Sequence, residues 1–488
     1  MPVVPFGDYL PDLPPWSNPG VITAINVVPE GVGFHQLKSP NIVTDALPAR
    51  CRHFRAVSDN ADVYSTYAGD ATKLAILAST TWSVGAPTYN LSEFDNWEST
   101  VWDTKIIFTS ITDEPVSATI GSGTFAVFFT STEKPKAHHI GVVGDTLVMG
   151  DINSTANGVK RNGVIWSALG NYLDMNPDAA TNAGAQDLQG DGGNVQKVIG
   201  GRYGTIFQQN AIWRMTFAGP PLLFRFDQIS DNVGALSKGG VVVGDDGQQV
   251  FFLAEEGFHL LSIPDGSIRS IGSDRVDRTI LSEIDKTALH RCSSTVGPDG
   301  IFYFSYSTSG GSPDKIAIYN PHADRWGTGE FNHEVIGRYR GGAQNIDAEP
   351  LASRNIDAQP YFIDSAEFKG GAASLGVFDT AHRLASLEGD ALTATLDTGD
   401  VPLPEGGRSY VNKVRPIVEG ATAVSTVTLG TRELLTGTTT FGTETGVNAM
   451  GEAPVRGSGR YMRFRTKISG GFDHAVGIEF EPKSRGRK

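Results

Sequence analysis

The sequence predicts an all-β chain: a β-propeller of six or seven blades, with an irregular N-terminal arm before it and a small C-terminal β module after it. Three observations carry that expectation. A cadence of apolar run, Gly/Asp turn and second apolar run recurs through the middle of the chain. Its turns fall roughly 45 to 55 residues apart, close to the period of about 40 to 50 residues for four-stranded propeller blades. The 488 residues include 58 Gly and 26 Pro, and with abundant Thr, Ser and Val they favour turns and strands over long helices.

Residues 1–50 read as the arm. Pro2, Pro5, Pro11, Pro14, Pro15 and Pro19 interrupt any regular element, and residues 21–28 form the first credible strand. Such an arm either covers its own domain or joins a neighbouring subunit, and both remain open here.

Residues 51–390 read as the propeller. Residues 63–77 form a hairpin around Gly69-Asp70, Trp82 closes that unit, and residues 102–108 begin the next. Further first hairpins turn at Gly144-Asp145, at residues 200–204, at residues 244–247 and at residues 297–300. In these turns Gly supplies positive φ without steric cost and Asp bonds its own backbone. A second hairpin is expected at Asn162-Gly163, at Asn210-Ala211 and at Glu256-Gly257, giving about four strands per unit. Two insertions of low hydrophobicity, residues 151–160 and 176–194, read as contact loops. Residues 278–289 are the best amphipathic helix, with Ile280, Leu281, Ile284 and Leu289 near helical spacing. Residues 315–326 resemble the outer hairpin of a kelch-like blade: Asn320-Pro321 starts the turn, and Tyr319 and Trp326 are large enough to fill the wedge between sheets.

Residues 391–488 change texture. Residues 391–397, 411–418, 425–429, 460–467 and 475–481 alternate apolar and polar side chains with period two, as half-buried antiparallel strands do. This module is locally basic. Arg456, Arg460, Arg463, Arg465 and Lys467 are candidate contacts between subunits, and residues 483–488 add a basic tail.

Charge and motifs bound the function. A net charge of -14 argues against a protein that grips nucleic acid by neutralising phosphates; it leaves room for one past which DNA slides, and from the sequence alone an acidic balance that serves solubility is the favoured reading. Cys51 and Cys292 are far apart and form no disulfide framework or zinc pattern, so folding in a reducing cytoplasm is expected. No apolar run reaches membrane-spanning length, and the first fifteen residues lack the pattern of a secretion signal. Phosphate-loop, H-E-x-x-H, G-x-S-x-G and calcium-loop patterns are all missing, so no catalytic, metal or cofactor residue is assigned. His138-His139 are neighbours on a strand and point to opposite faces, which prevents joint chelation. Residues 186–193 read as a polar turn, and Asp227 lacks a second acid for glycoside hydrolysis.

Several segments resemble one family of phage virion proteins. They are residues 7–13 with Asn18-Pro19-Gly20, residues 195–207, 214–221, 252–258 and 276–279, and the closing residues 458–465. The family is that of the tail nozzle of short-tailed phages, also called tail tubular protein B or packaged-DNA stabilisation protein. The resemblance implies a hexameric tube of propeller subunits in the virion, assembled in the host cytoplasm. It would join an adaptor ring under the portal to a needle, plug or fibre, retain packaged DNA and conduct it on ejection, with no enzyme activity and no cofactor. The alternative is a tail protein whose propeller binds a receptor glycan through aromatics such as Trp166 with Tyr172 or Trp97 with Trp102; a glycosidase ranks below it.

Overall fold

The middle strands are apolar on both faces, and this decides the architecture. In the strand Gln249–Ala254, Phe251 and Leu253 pack into one core cluster while Val250, Phe252 and Ala254 pack into another. Lys105–Thr109 does the same, with Ile106 and Phe108 on one side and Ile107 on the other. A sheet buried on both faces must sit between two other sheets, and repeating that condition around a circle gives a propeller. The computed structural model describes residues 3–219, 222–340, 373–401 and 407–484.

Seven antiparallel four-stranded blades follow in chain order. Blade one comprises His53–Ser58, Tyr64–Gly69, Leu74–Ala78 and Thr81–Val84. Blade two runs from Glu98–Trp102 to Ala126–Val127, and blade three from Lys136–Val143 to Gly184–Asp187. Blade four runs from Val195–Ile199 to Phe224–Ser230, blade five from Val241–Val243 to Ile268–Ser270, and blade six from Ser293–Val296 to Arg325–Glu330. Blade seven takes Val335–Tyr339, Ser374–Phe378 and Arg383–Ser386 from the end of the circle and Asn41–Ala46 from the arm. The first strands face the centre, and that of blade seven meets that of blade one, so the ring closes. Seven apolar clusters occupy the seven junctions. Each buried Phe, Leu or Ile there contributes on the order of 1.5–3 kcal/mol.

The first-hairpin turns fall where the sequence places them. Gly144 and Gly300 adopt left-handed φ of 54° and 76°, and Asp299 accepts a hydrogen bond from the Ile301 amide at 3.0 Å. The kelch-like hairpin also holds. Trp326 is fully buried, packs at a tilt against Tyr319 and against Phe258 of blade five, and donates its indole N–H to the Ile271 carbonyl at 3.0 Å.

Three local expectations are corrected. Asn162-Gly163 is not a turn; it lies inside the strand Gly158–Trp166, and the chain reverses at residues 155–157. The polar stretch 151–160 is accordingly a long hairpin rather than a loop, with a bulge between Gly150 and Ile152. Ion pairs from Lys160 to Asp187 and from Arg161 to Asp151 replace the missing apolar burial. The helix is shorter than its apolar spacing indicates: it covers Asp277–Glu283, and Ile284 is extended (ψ 123°) before a 3-10 turn at Lys286–Arg291.

The arm covers its own chain. Val3–Pro5 pairs with His474–Phe480, and Val21–Ile25 lies between Arg325–Glu330 of blade six and Ala394–Thr398. That last strand continues through Tyr461–Ser469 to Val424–Arg432, so blade six and the C-terminal strands share one ten-stranded sheet. Arg325 locks the arm. Its guanidinium donates to the carbonyls of Glu30 (2.8 Å), Gly33 (3.0 Å), Phe6 (3.0 Å) and Gly7, and Asp8 lies 2.8 Å from Nε, off the hydrogen-bond axis.

Candidate functional site

The first strands of the blades, together with the segments that lead into them, enclose a central cavity of about 460 Å³. Most apolar side chains of these strands pack into the inter-blade junctions, and the lining of the centre mixes apolar residues such as Val242 and Val335 with a set of charged ones. Blade one contributes His53 and Arg55, blade two Glu98, blade four Lys197 and blade seven Arg338. The turn before blade five adds Lys238, and the segments before blades one and six add Arg50, Arg52 and Arg291.

One side of this centre is a closed network. Glu98 is 2.8 Å from Lys197 and 2.9 Å from His139. Burial works against its charge, but Lys197 and His139 outweigh it and bring the carboxyl down to about 2. Burial also lowers the pKa of His139, against the pull of Glu98, which shares a hydrogen bond with its Nδ1 at 2.9 Å. His138 behaves oppositely. It points to the other face and lies 2.8 Å from Asp151 and 3.1 Å from Asp95, whose hydrogen bonds overcome burial and raise its pKa. The adjacent histidines therefore serve separate partners, and among the described residues no group of three or more His, Cys, Asp or Glu is arranged to hold a metal ion.

The other side has fewer counter-charges. Arg52 donates to the Ser92 carbonyl and, at 2.7 Å, to the Asp95 carbonyl; Glu93 serves both Arg52 at 3.7 Å and Arg291 at 2.8 Å. Arg55 donates to the Ser99 carbonyl at 2.7 Å and, among the described residues, has no carboxylate within ion-pair distance. Burial, then Arg55 and Lys197, hold His53 down to about 3, and burial lowers Lys238 to about 8. Such surroundings suit holding negative charge. The buried thiols of Cys51 and Cys292 are pushed up, chiefly by burial, which makes both poor nucleophiles.

The basic residues of the C-terminal module lie elsewhere: Arg463, Arg465 and Lys467 are on the face of Tyr461–Ser469 opposite Met462, Phe464 and Ile468, and Arg456 and Arg460 precede that strand. Arg465 forms two hydrogen bonds with buried Asp397, at 2.8 and 2.7 Å, and stacks over Phe441 together with Arg463. Lys467 pairs with Glu444 at 2.8 Å. Arg456 and Arg460 are exposed. Of the basic tail, Arg485, Arg487 and Lys488 lie outside the described residues.

Of the aromatics considered for sugar stacking, Trp97 is buried against Tyr89 and Trp166 against Phe224 and Phe226, while Tyr172 and Trp102 are half-buried against each other, with Phe128 beside Tyr172. Asp187 is paired with Lys160, and Asp227 with Arg225 at 2.7 Å. The central charges went unread in the sequence because single charged residues on separate strands have no spacing signature; a polar residue interrupting an otherwise apolar first strand, as Lys197 does, was the available signal.

No family model and no curated protein matches the chain. Among solved structures it is similar to the extracellular domain of a B. thetaiotaomicron protein described as a one-component system, with TM-score 0.42 and 12% identity over 80% of this chain and 44% of that one. A second structure of that domain, described as part of a hybrid two-component system, gives 0.40, 11%, 79% and 44%. The chain thus spans under half the length of those domains. A chain of the Mitotic Checkpoint Complex gives 0.39 and 9% over 71% of this chain and 94% of that one. These likenesses are too distant to carry function, and the propeller rests on its own strand pairing.

Proposed function

We propose that this protein is a structural subunit of a phage tail, forming a nozzle or tube ring that retains packaged DNA and conducts it during ejection. The supporting observation is where the family-like segments meet. Asp12, from residues 7–13, accepts hydrogen bonds from the amides of Arg278 (2.9 Å) and Thr279 (2.8 Å) and from the Thr279 hydroxyl (2.7 Å), within residues 276–279. Asp277 in turn accepts from the Phe258 amide at 3.0 Å, within residues 252–258. Three segments distant in sequence build one joint, which fixes the arm to blade five and leads into blade six. A likeness that takes in such a joint fits a role carried by shape and rigidity.

In this reading the chain is a homo-oligomer, a hexamer by the resemblance, with adaptor or portal proteins above and a needle, plug or fibre below. Arg456 carries no ion pair among the described residues and is a candidate contact with a sister subunit, along with Arg460, Arg463, Arg465 and Lys467. Light scattering of the purified chain, followed by electron microscopy, is the test. A closed ring is expected, and Arg456→Glu should weaken it in a salt-dependent way. A monomer at every concentration up to the solubility limit would sink the proposal, and a monomer that binds glycan would favour a receptor-binding tail protein.

A further inference from the structure

The central cavity is positive although the whole chain is acidic. Seven basic side chains and three carboxylates line it, an excess of four positive charges inside a protein whose net charge is -14. Pairing does not remove the excess. Lys197 is matched by Glu98 and Arg338 by Asp245, while exposed Glu93 at the rim serves both Arg52 and Arg291. Glu334 is turned away, accepting from the Cys51 amide at 2.9 Å and bonding His382. That leaves Arg50, Arg55 and Lys238 with no carboxylate within ion-pair distance among the described residues. Arg50 and Lys238 also make no hydrogen bond to the protein among the described residues.

Two polar atoms in the same cavity are unsatisfied. Arg52 is only 9% exposed, yet among the described residues its Nε–H has no hydrogen-bond partner. The Ser294 hydroxyl, on the first strand of blade six, is likewise buried without a partner. Buried donors without acceptors are uncommon, and here they adjoin cations that have no contact ion pair among the described residues. One oxyanion with several acceptor oxygens answers both deficits, since it accepts from guanidinium, ammonium and hydroxyl donors together.

We propose that the centre of the propeller is a binding site for a small phosphate-class anion, held by Arg50, Arg52, Arg55 and Lys238 with the Ser294 hydroxyl. The cavity is large enough for inorganic phosphate and the water around it. Bound there, the anion links blades one, five and six across the middle of the ring, where they otherwise repel one another. This inference does not rest on the tail assignment; it holds for a monomer as well as for a ring.

Calorimetric titration of the full chain with inorganic phosphate, at constant ionic strength in chloride, is the decisive measurement. One saturable event per chain is expected, with a rise in melting temperature that matched chloride does not give. Arg50→Gln with Lys238→Gln should weaken binding by at least about tenfold. It should also melt no lower than the parent without phosphate, because it relieves repulsion; a purely structural role for the two cations predicts the reverse. If the double variant does not fold, Arg50→Gln alone is titrated, with the same expected direction. Absence of a saturable event, or equal affinity in the variants, overturns the site. Binding of a 5′-phosphorylated oligonucleotide without binding of free phosphate overturns the assignment to a small anion.

Discussion

Asp277 shows how one residue is loaded against stability to hold a joint. It opens the helix, where amides favour negative charge, but it is buried between Gly257 and Gly272, and an added Cβ on either glycine would collide with its carboxylate. Burial, opposed by the Phe258 amide and reinforced by Asp12, raises its pKa to about 6. The folded state therefore holds this proton more tightly than the unfolded state, and stability falls as pH rises between about 4 and the folded value. The penalty is complete above that window, on the order of 2–3 kcal/mol. Asp277→Asn keeps the acceptor for Phe258 and removes the charge. Thermal melts across pH should show the variant more stable than the parent at pH 7, with the gain vanishing near pH 4; a loss at neutral pH would mean that the carboxylate charge is itself needed at the joint.

Among the elements, the strand Asn41–Ala46 matters most for closure, because it completes blade seven from the other end of the chain. Thr44 is its buried anchor: its hydroxyl accepts from the Leu384 amide at 3.1 Å and the Trp82 indole at 3.2 Å, tying blade seven to blade one. Thr44→Val keeps the shape and strands two donors, which costs about 1–3 kcal/mol. Hydrogen exchange should then quicken at Arg383–Ser386 and spare blades three and four; uniform quickening would point to global loss instead. The same strand marks the limit of what the sequence discloses. Gly144, Asp299, Tyr319 and Trp326 announce their turns and wedges locally, so the blades were legible. The pairing of Ala385 with Ile42 was not, since neither neighbourhood names a partner more than three hundred residues away. The hairpin at residues 151–160 was misread for a related reason: its edges are held by Lys160 and Arg161 ion pairs, and polar residues in strands mimic a loop. The basic run at residues 456–467 was visible, but not that Asp397 and Glu444 already engage Arg465 and Lys467.

At the scale of the whole molecule, the C-terminal strands are less an appendage than the buttress of the ring. Val21–Ile25 is gripped by blade six on one side, with a parallel bridge from Ile25 to Thr328, and by Ala394–Thr398 on the other. A single core runs from Phe302 and Trp326 of the propeller through Val21 and Leu396 to Phe464 and Phe480. A chain ending at residue 390 would expose one flank of Val21–Ile25 and one edge of Val3–Pro5, and with them the arm whose later strand Asn41–Ala46 closes blade seven. Apolar edges of that kind pair with other copies. The truncated chain should therefore melt well below the parent or aggregate, and the intact chain should unfold in one calorimetric transition with matching calorimetric and van't Hoff enthalpies. Two resolved transitions, or a truncated chain that keeps the parent's melting temperature, would show that the propeller stands alone. In that case the rigidity argued for a tail ring would have to come from contacts between subunits rather than from the shared sheet.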